Sequence, residues 1–286
     1  MAEYYGDPIL VEKCIMKFKG LEDSGINSMD GFFGTVYKLE IDGTPYFVKK
    51  VYANSIKYES MKPLMINEYR VNKILTMKIP EFVSILIAGK FDDTGETLTM
   101  YLIFEAPFGY NLKQYMDLLT TSQLERIYDR LYCSIHAAQS ALHSLNIVHR
   151  DIKPDNIYVI VGPDKREFVR CKLIDVGLAI PHGVKVHPAG TKRYMPPTMK
   201  SINNYKRFHN YKAFKEHNEY SLRKIWNNDF EKDGEPVPDC TALVEHMGPP
   251  LSPTSNNENT EGGSRYKRTR RKNGKRKCRK TRKYER

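Results

Sequence analysis

The chain has 286 residues, 40% of them hydrophobic and 28% charged, with a formal net charge of +12. That length is enough for one large or two small cores. No apolar run approaches membrane-spanning length, and the opening Met1-Ala2-Glu3-Tyr4-Tyr5 has no signal-peptide pattern. The charge is uneven. Residues 265–286 carry fourteen Lys/Arg against one Glu, a contribution of +13 that leaves the first 264 residues at about −1, so the basicity belongs to a tail. The five cysteines, Cys14, Cys133, Cys171, Cys240 and Cys278, are scattered and show no C-x-x-C spacing. They read as reduced thiols of an intracellular protein, cytoplasmic or nuclear.

From Phe18 to about Phe104 the sequence reads as strands around one helix. Gly31-Phe32-Phe33-Gly34-Thr35-Val36 is a Gly-rich turn. Tyr37 to Ile41 alternates, Asp42-Gly43 signals a tight hairpin, and Tyr46 to Tyr52 resumes strand character. Leu64 to Met77 has helical periodicity, with Ile66, Tyr69, Ile74 and Leu75 largely on one face. Glu81 to Phe104 predicts two strands around the turn at residues 92–96. Two helical stretches follow from Leu112, the second over Ile127 to Ser144. It leads into His149-Arg150-Asp151-Ile152-Lys153-Pro154-Asp155-Asn156. The run Lys172-Leu173-Ile174 reads as a short strand ending at Asp175-Val176-Gly177, and Gly190-Thr191-Lys192-Arg193-Tyr194-Met195-Pro196-Pro197 follows. Residues 198–249 are polar, aromatic and weakly periodic. Residues 250–286, a polar linker and then the basic tail, are expected to be disordered.

Taken together, these motifs resemble the eukaryotic-type protein kinases, and specifically their Ser/Thr branch. The octapeptide matches the catalytic-loop pattern H-R-D-x-K-x-x-N, Asp175-Val176-Gly177 resembles D-F-G, and the stretch from Gly190 resembles G-T-x-x-Y-M-A-P. The resemblance implies an α+β, two-lobed kinase-like fold. It has a β-rich N-lobe over residues 1–105, a mostly helical, shortened C-lobe over 106–249, and a disordered basic tail over 250–286. The compact form and Lys/Arg-rich tail are similar to those of kinases carried by large DNA viruses, which would put the protein in the host cell or virion.

The same resemblance assigns roles. Asp151 accepts the substrate hydroxyl's proton, Lys153 meets the moving phosphate, and Asn156 and Asp175 hold Mg²⁺. Thr191 bonds the Asp and Lys. Gly31 and Gly34 let backbone N–H groups approach the phosphates of ATP, and Val36 caps the adenine. Tyr46-Phe47-Val48-Lys49-Lys50-Val51 is similar to Y-A-I-K-K-I, which makes Lys49 the phosphate-binding Lys and Glu68 its partner. A one-residue slip would send Lys50 inward instead, and Glu59 is the alternative to Glu68. In Tyr101-Leu102-Ile103-Phe104-Glu105-Ala106-Pro107 the Glu105 carbonyl would accept from adenine, and Asn111 falls at a ribose-binding position. His149 and Asp155 are structural. Asn218-Glu219-Tyr220-Ser221-Leu222 is similar to D-x-W-S-L on a buried helix.

Departures are part of the pattern. Met29 stands at the first glycine, and Phe47 replaces the Ala that roofs the adenine pocket. Pro107 lacks the N–H of the second hinge contact. Thr198 replaces the Glu of A-P-E. Residues 176–190 hold no Ser, Thr or Tyr, so Arg150 has no phosphate to meet there, and activity independent of activation-loop phosphorylation is expected. The trimmed C-lobe is consistent with reliance on a dimer or an activating partner. Partners follow as a protein substrate and, through residues 265–286, non-specific nucleic acid or an acidic protein. The alternative function is a pseudokinase or nucleic-acid-tethered scaffold.

Overall fold

A six-stranded antiparallel sheet carries the first third of the chain in the computed structural model, which describes residues 2–26, 29–31, 34–164, 167–185, 187, 189–200 and 212–241. The strands are β1 (Ala2–Tyr5), β2 (Met29–Gly31), β3 (Gly34–Ile41), β4 (Thr44–Ala53), β5 (Leu86–Asp93) and β6 (Leu98–Glu105), in the order β1-β5-β6-β4-β3-β2. The β3–β4 hairpin turns at Asp42 and Gly43, both with positive φ (50° and 79°). This is the geometry that favours an Asp-Gly pair in a two-residue turn.

Two helices cover the two faces of this sheet. Helix α1 (Pro8–Asp23) buries Val11, Cys14, Ile15 and Phe18 against Tyr37, Leu39, Val48, Tyr101 and Ile103. Helix α2 (Tyr58–Lys78) lies on the other side, where Tyr58 and Met65 pack on Val51, Leu86, Met100 and Leu102. Because β6 is buried on both faces, its run Met100-Tyr101-Leu102-Ile103 is apolar throughout rather than alternating. Helix α1 was not among the predicted elements, which begin with strands near Phe18. Its signal is present nonetheless: Asp7 accepts the Ile9 N–H at 2.9 Å as N-cap with Pro8 at the first position.

The C-terminal part begins with β7 (Gly109–Asn111), α3 (Leu112–Asp117), α4 (Thr121–Glu125) and α5 (Tyr128–Ser144). Three helices therefore stand where two were expected, because Thr120 starts a new capping box with Gln123. The strands β8 (Ile147–Val148), β9 (Ile157–Val161), β10 (Phe168–Leu173) and β11 (Ile180–Pro181) follow, then α6 (Pro197–Lys200) and α7 (Lys215–Lys224). A π turn, Ile225–Asp229, extends α7. Strands β10, β9 and β7 form one small sheet, and β11 pairs with β8. The main core wraps α5: Leu131, Ile135, Ala138 and Leu142 meet Val159, Leu173, Leu222, Trp226 and Phe230. The architecture is α+β and two-lobed, a sheet with helices followed by a helical part with short hairpins.

The expectation of five reduced thiols is corrected. Cys133 on α5 is bonded to Cys240, 107 residues away in sequence, while Cys14 and Cys171 are free and buried. Spacing alone does not reveal such a pair, because folding brings its members together. Closing so long a loop constrains the unfolded chain by ~2–4 kcal/mol. Reduction is therefore expected to lower the thermal midpoint by roughly 5–15 °C. Differential scanning fluorimetry with and without dithiothreitol checks this, and an unchanged midpoint would show that the bridge does not hold the C-terminal segment. Residues 32–33, 201–211 and the whole of 250–286, including the basic tail and Cys278, lie outside the described residues.

Candidate active site

The sequence-predicted residues from the two parts meet around Lys49. In β4 its neighbour across β3 is Val36 and across β6 is Leu102. This register turns the Lys49 side chain inward, where Nζ lies 2.6 Å from Glu68 Oε1 on α2 and 2.8 Å from Asp175 Oδ1. Alternation along the strand sends Lys50 to the opposite face, where it meets Glu22 of α1 at 2.7 Å. Glu59 sits in the first turn of α2, nine residues from Glu68 and away from this ion pair. Asn67 fastens α2 a second time, its Nδ2 donating to Ala179 O at 2.8 Å.

Burial opposes the Lys49 ammonium, but the Glu68 and Asp175 carboxylates outweigh it and hold its pKa above the ordinary lysine value. Burial pushes Glu68 up against the pull of Lys49. For Asp175 burial also pushes upward, yet Lys49 prevails and holds the carboxyl below its usual value. The result is a charged cation held by Glu68, 19 residues away in sequence, and Asp175, 126 residues away.

Asp175 follows β10 in a left-handed conformation, φ 57°. Its loop is tied to the loop that carries Asp151 and Asn156 by the Ile174 N–H donating to Asn156 O at 3.0 Å. A parallel bridge between Val83 and Leu173 braces β10 against the segment entering β5. Asn156 gives its amide hydrogens to Asp151 O and Oδ2 at 2.9 and 3.0 Å, so Oδ1 is the atom through which it could hold a metal. That oxygen and the Asp175 carboxylate are the hard donors Mg²⁺ takes, and the ion commonly uses only one or two protein ligands besides phosphate and water. Among the described residues no group of three or more His, Cys, Asp or Glu is placed to hold a metal.

Asp151 is the centre of a second convergence. Its Oδ1 accepts the Thr191 N–H at 2.7 Å, and its Oδ2 accepts from Asn156 and lies 3.0 Å from Lys153 Nζ. Lys153 also donates to Thr191 Oγ1 at 3.0 Å. Gly190 permits this closeness. It has φ 122°, and a Cβ there would stand 2.4 Å from Arg150 O. His149 is fully buried and lies 3.1 Å from Ile174 O through Nε2. Asp155 is exposed. Arg150 donates through its two terminal nitrogens to the carbonyls of Leu178 and His187.

The remaining predicted positions are less engaged. Gly34 has φ 136° and its missing Cβ leaves room for Lys50 O, which would otherwise lie 2.2 Å away. Gly31 faces Gly34 across the β2–β3 pair. The Glu105 carboxylate pairs with Lys172 at 2.8 Å. Asn111 caps α3, its Oδ1 accepting the Gln114 N–H at 2.8 Å. Thr198 lies in α6.

Asn218, in the stretch read from sequence as similar to D-x-W-S-L on a buried helix, is fully buried on α7; what sequence reasoning missed is which groups it bonds. Asn218 of α7 accepts the Arg150 N–H at 3.0 Å through Oδ1, and its Nδ2 faces His143 Nε2 at 3.1 Å. An amide must donate where an aspartate would only accept, and the His143 ring nitrogen supplies the acceptor. Burial holds His143 down to about 4, and burial lowers His149 and His217 as well. A histidine kept neutral in the fold but protonated at about 6.5 when unfolded costs stability as pH falls below that value. The thermal midpoint is therefore expected to drop between pH 7 and 5, and less steeply in His143→Gln, whose amide oxygen still accepts without titrating. Equal slopes for the two proteins would remove His143 from this role. Asp229 is another contributor, accepting from Tyr194 Oη at 3.1 Å and pairing with Arg193 at 3.3 Å.

Comparison with known proteins gives the family. Residues 30–210 match the family model described as protein kinase domain. The chain is 29% identical over 198 residues to an interferon-induced, double-stranded RNA-activated protein kinase of Mus musculus, covering 66% of this chain and 36% of that one. It is 31% identical over 173 residues to a serine/threonine-protein kinase of Drosophila persimilis, covering 59% of this chain and 21% of the fly protein. A Drosophila melanogaster serine/threonine-protein kinase is 30% identical over the same length. The matched region thus spans about a third or less of these relatives.

Proposed function

This chain belongs to the protein kinase family, and from that premise we propose that it transfers the γ-phosphate of ATP to Ser or Thr hydroxyls of protein substrates. The observation that carries the reading is the arrangement around Asp151. One carboxylate oxygen is held by the Thr191 N–H, and the other lies among the Asn156 amide and the Lys153 ammonium. Asp151 orients the hydroxyl and takes its proton as the oxygen attacks phosphorus. Lys153, 3.0 Å away, offsets the negative charge of the moving phosphoryl group. Lys49, pinned by Glu68 and Asp175, binds the phosphates of the donor, Gly31 and Gly34 let backbone N–H groups approach them, and Val36 caps the adenine.

Asn156 and Asp175 would hold Mg²⁺. Bound there, the ion would neutralise phosphate charge and orient the chain of phosphates. The Ser/Thr preference is supported by the Lys153–Thr191 contact and by the names of the fly relatives. Glu105 O and Asn111 are assigned to the base and ribose. Residues 265–286 are assigned a non-specific, salt-sensitive affinity for nucleic acid or acidic proteins on their charge alone. No helix among the described residues is long and apolar enough to cross a membrane.

Arg150 bears on regulation. Its guanidinium is already occupied by the Leu178 and His187 carbonyls, which supports an activation segment ordered by main chain rather than by phosphate. The test is transfer of labelled γ-phosphate to generic basic proteins and casein by phosphatase-treated protein, beside Asp175→Asn. Phosphoserine or phosphothreonine formed by the first and lost in the second is the expected result. Nucleotide binding with no transfer to any substrate would favour the scaffold alternative. A requirement for phosphate on Thr191 or Tyr194 would overturn the regulatory part.

A further inference from the structure

Between the phosphate-binding end of the cleft and the segment that follows β6, two aromatic rings meet. Phe47 stands two residues before Lys49 on β4, so it points to the same side of the strand. Tyr158 stands two residues after Asn156, near the start of β9. Their ring centroids are 5.6 Å apart at an interplanar angle of 78°, an edge-to-face contact. Tyr158 is buried, and its hydroxyl donates to Pro107 O at 3.0 Å. The lower ring is therefore held from its far end by the segment that would face a nucleobase.

A base inserted between two side chains needs about 7 Å of clear height, two contacts of about 3.5 Å each. An edge-to-face pair at 5.6 Å leaves no such gap. The neighbouring backbone offers little in exchange. Pro107 has no N–H, and its carbonyl already accepts from Tyr158. The Glu105 carbonyl, assigned to the base above, would supply one hydrogen bond, which contributes little without packing. By contrast, the phosphate end holds a charged Lys49 between two carboxylates.

We propose that Phe47 and Tyr158 close the base slot of this chain, so that a nucleoside triphosphate is recognised through its triphosphate and not through its base. This rests on the nucleotide reading given under Proposed function. The pair then sets specificity: ATP and GTP serve as donors almost equally, and the rings must part before any base gains a packed surface.

The test is isothermal titration of the full chain with Mg²⁺ and three probes: ATP, GTP and inorganic tripolyphosphate. For the unaltered protein the three dissociation constants are expected to agree within about fivefold, since the base adds little packing. Phe47→Ala opens the slot and is expected to tighten ATP about tenfold while leaving tripolyphosphate unchanged. Phe47→Val, which places a β-branched residue suited to a strand there, replaces it if the alanine variant does not fold. ATP bound a hundredfold more tightly than tripolyphosphate by the unaltered protein would overturn the proposal. So would an unchanged or weakened ATP affinity in both Phe47 variants. Failure of all three probes to bind either protein would overturn the nucleotide reading itself, a result distinct from the other two.

Discussion

Lys49→Met is expected to abolish phosphate transfer and to lower the thermal midpoint, whereas Lys50→Met should do neither to a comparable degree. The two lysines are adjacent in sequence, but only Lys49 lies between Glu68 and Asp175. Glu68 is 3% exposed. Removing its cation leaves a buried carboxylate without a counter-charge, a loss of roughly 3–5 kcal/mol. For a domain of this size that corresponds to a fall of roughly 6–20 °C. Lys50 pairs with a partly exposed Glu22, and such pairs contribute about 0–1 kcal/mol. Stability and activity can be separated. Adding Glu68→Leu to Lys49→Met replaces the broken pair by an apolar contact and should recover much of the midpoint, because buried ion pairs exchange for apolar residues at little cost. Transfer should stay absent. Transfer surviving in Lys49→Met and lost in Lys50→Met would reassign the phosphate-binding role.

Asp151→Asn should reduce kcat by about 10²–10⁴-fold with KM for the nucleotide nearly unchanged. Three donors converge on this carboxylate: the Thr191 N–H, the Asn156 amide and the Lys153 ammonium. An asparagine turns an NH₂ group toward one side of that set, so at least one donor meets another donor. The substitution removes the proton acceptor and also disturbs its neighbours, at a cost of about 1–3 kcal/mol in stability. Steady-state kinetics together with a melting curve check both parts. A kcat within threefold of the unaltered protein would show that Asp151 does not handle the proton.

Much of this site was legible because its spacing is local. Asp151, Lys153 and Asn156 lie within six residues, so their order in the chain already constrains them to one turn. The hairpin at Asp42-Gly43 and the helices around residues 64–77 and 127–144 were equally legible, since turn chemistry and apolar periodicity act over a few residues. Helix α1 had a legible cap at Asp7-Pro8 that the strand-rich reading passed over. The departures at Phe47 and Pro107 were visible as residues, but their consequence was not. Nothing near Phe47 in sequence announces Tyr158, 111 positions on, as the ring it meets.

By itself, then, the sequence determined the family, the main hairpin and helices, and the identity of the groups available for chemistry. Tertiary structure decided which of those groups meet. Strand register chose Lys49 over Lys50, because a pleated strand alternates its faces and only one of them is turned toward Glu68 of α2 and Asp175. Folding joined Lys49 to Asp175 across 126 residues and Cys133 to Cys240 across 107. It paired Asn218 with both His143 and the Arg150 backbone. Each of these contacts acts over 2–6 Å between residues far apart in the chain, and no local propensity carries that information.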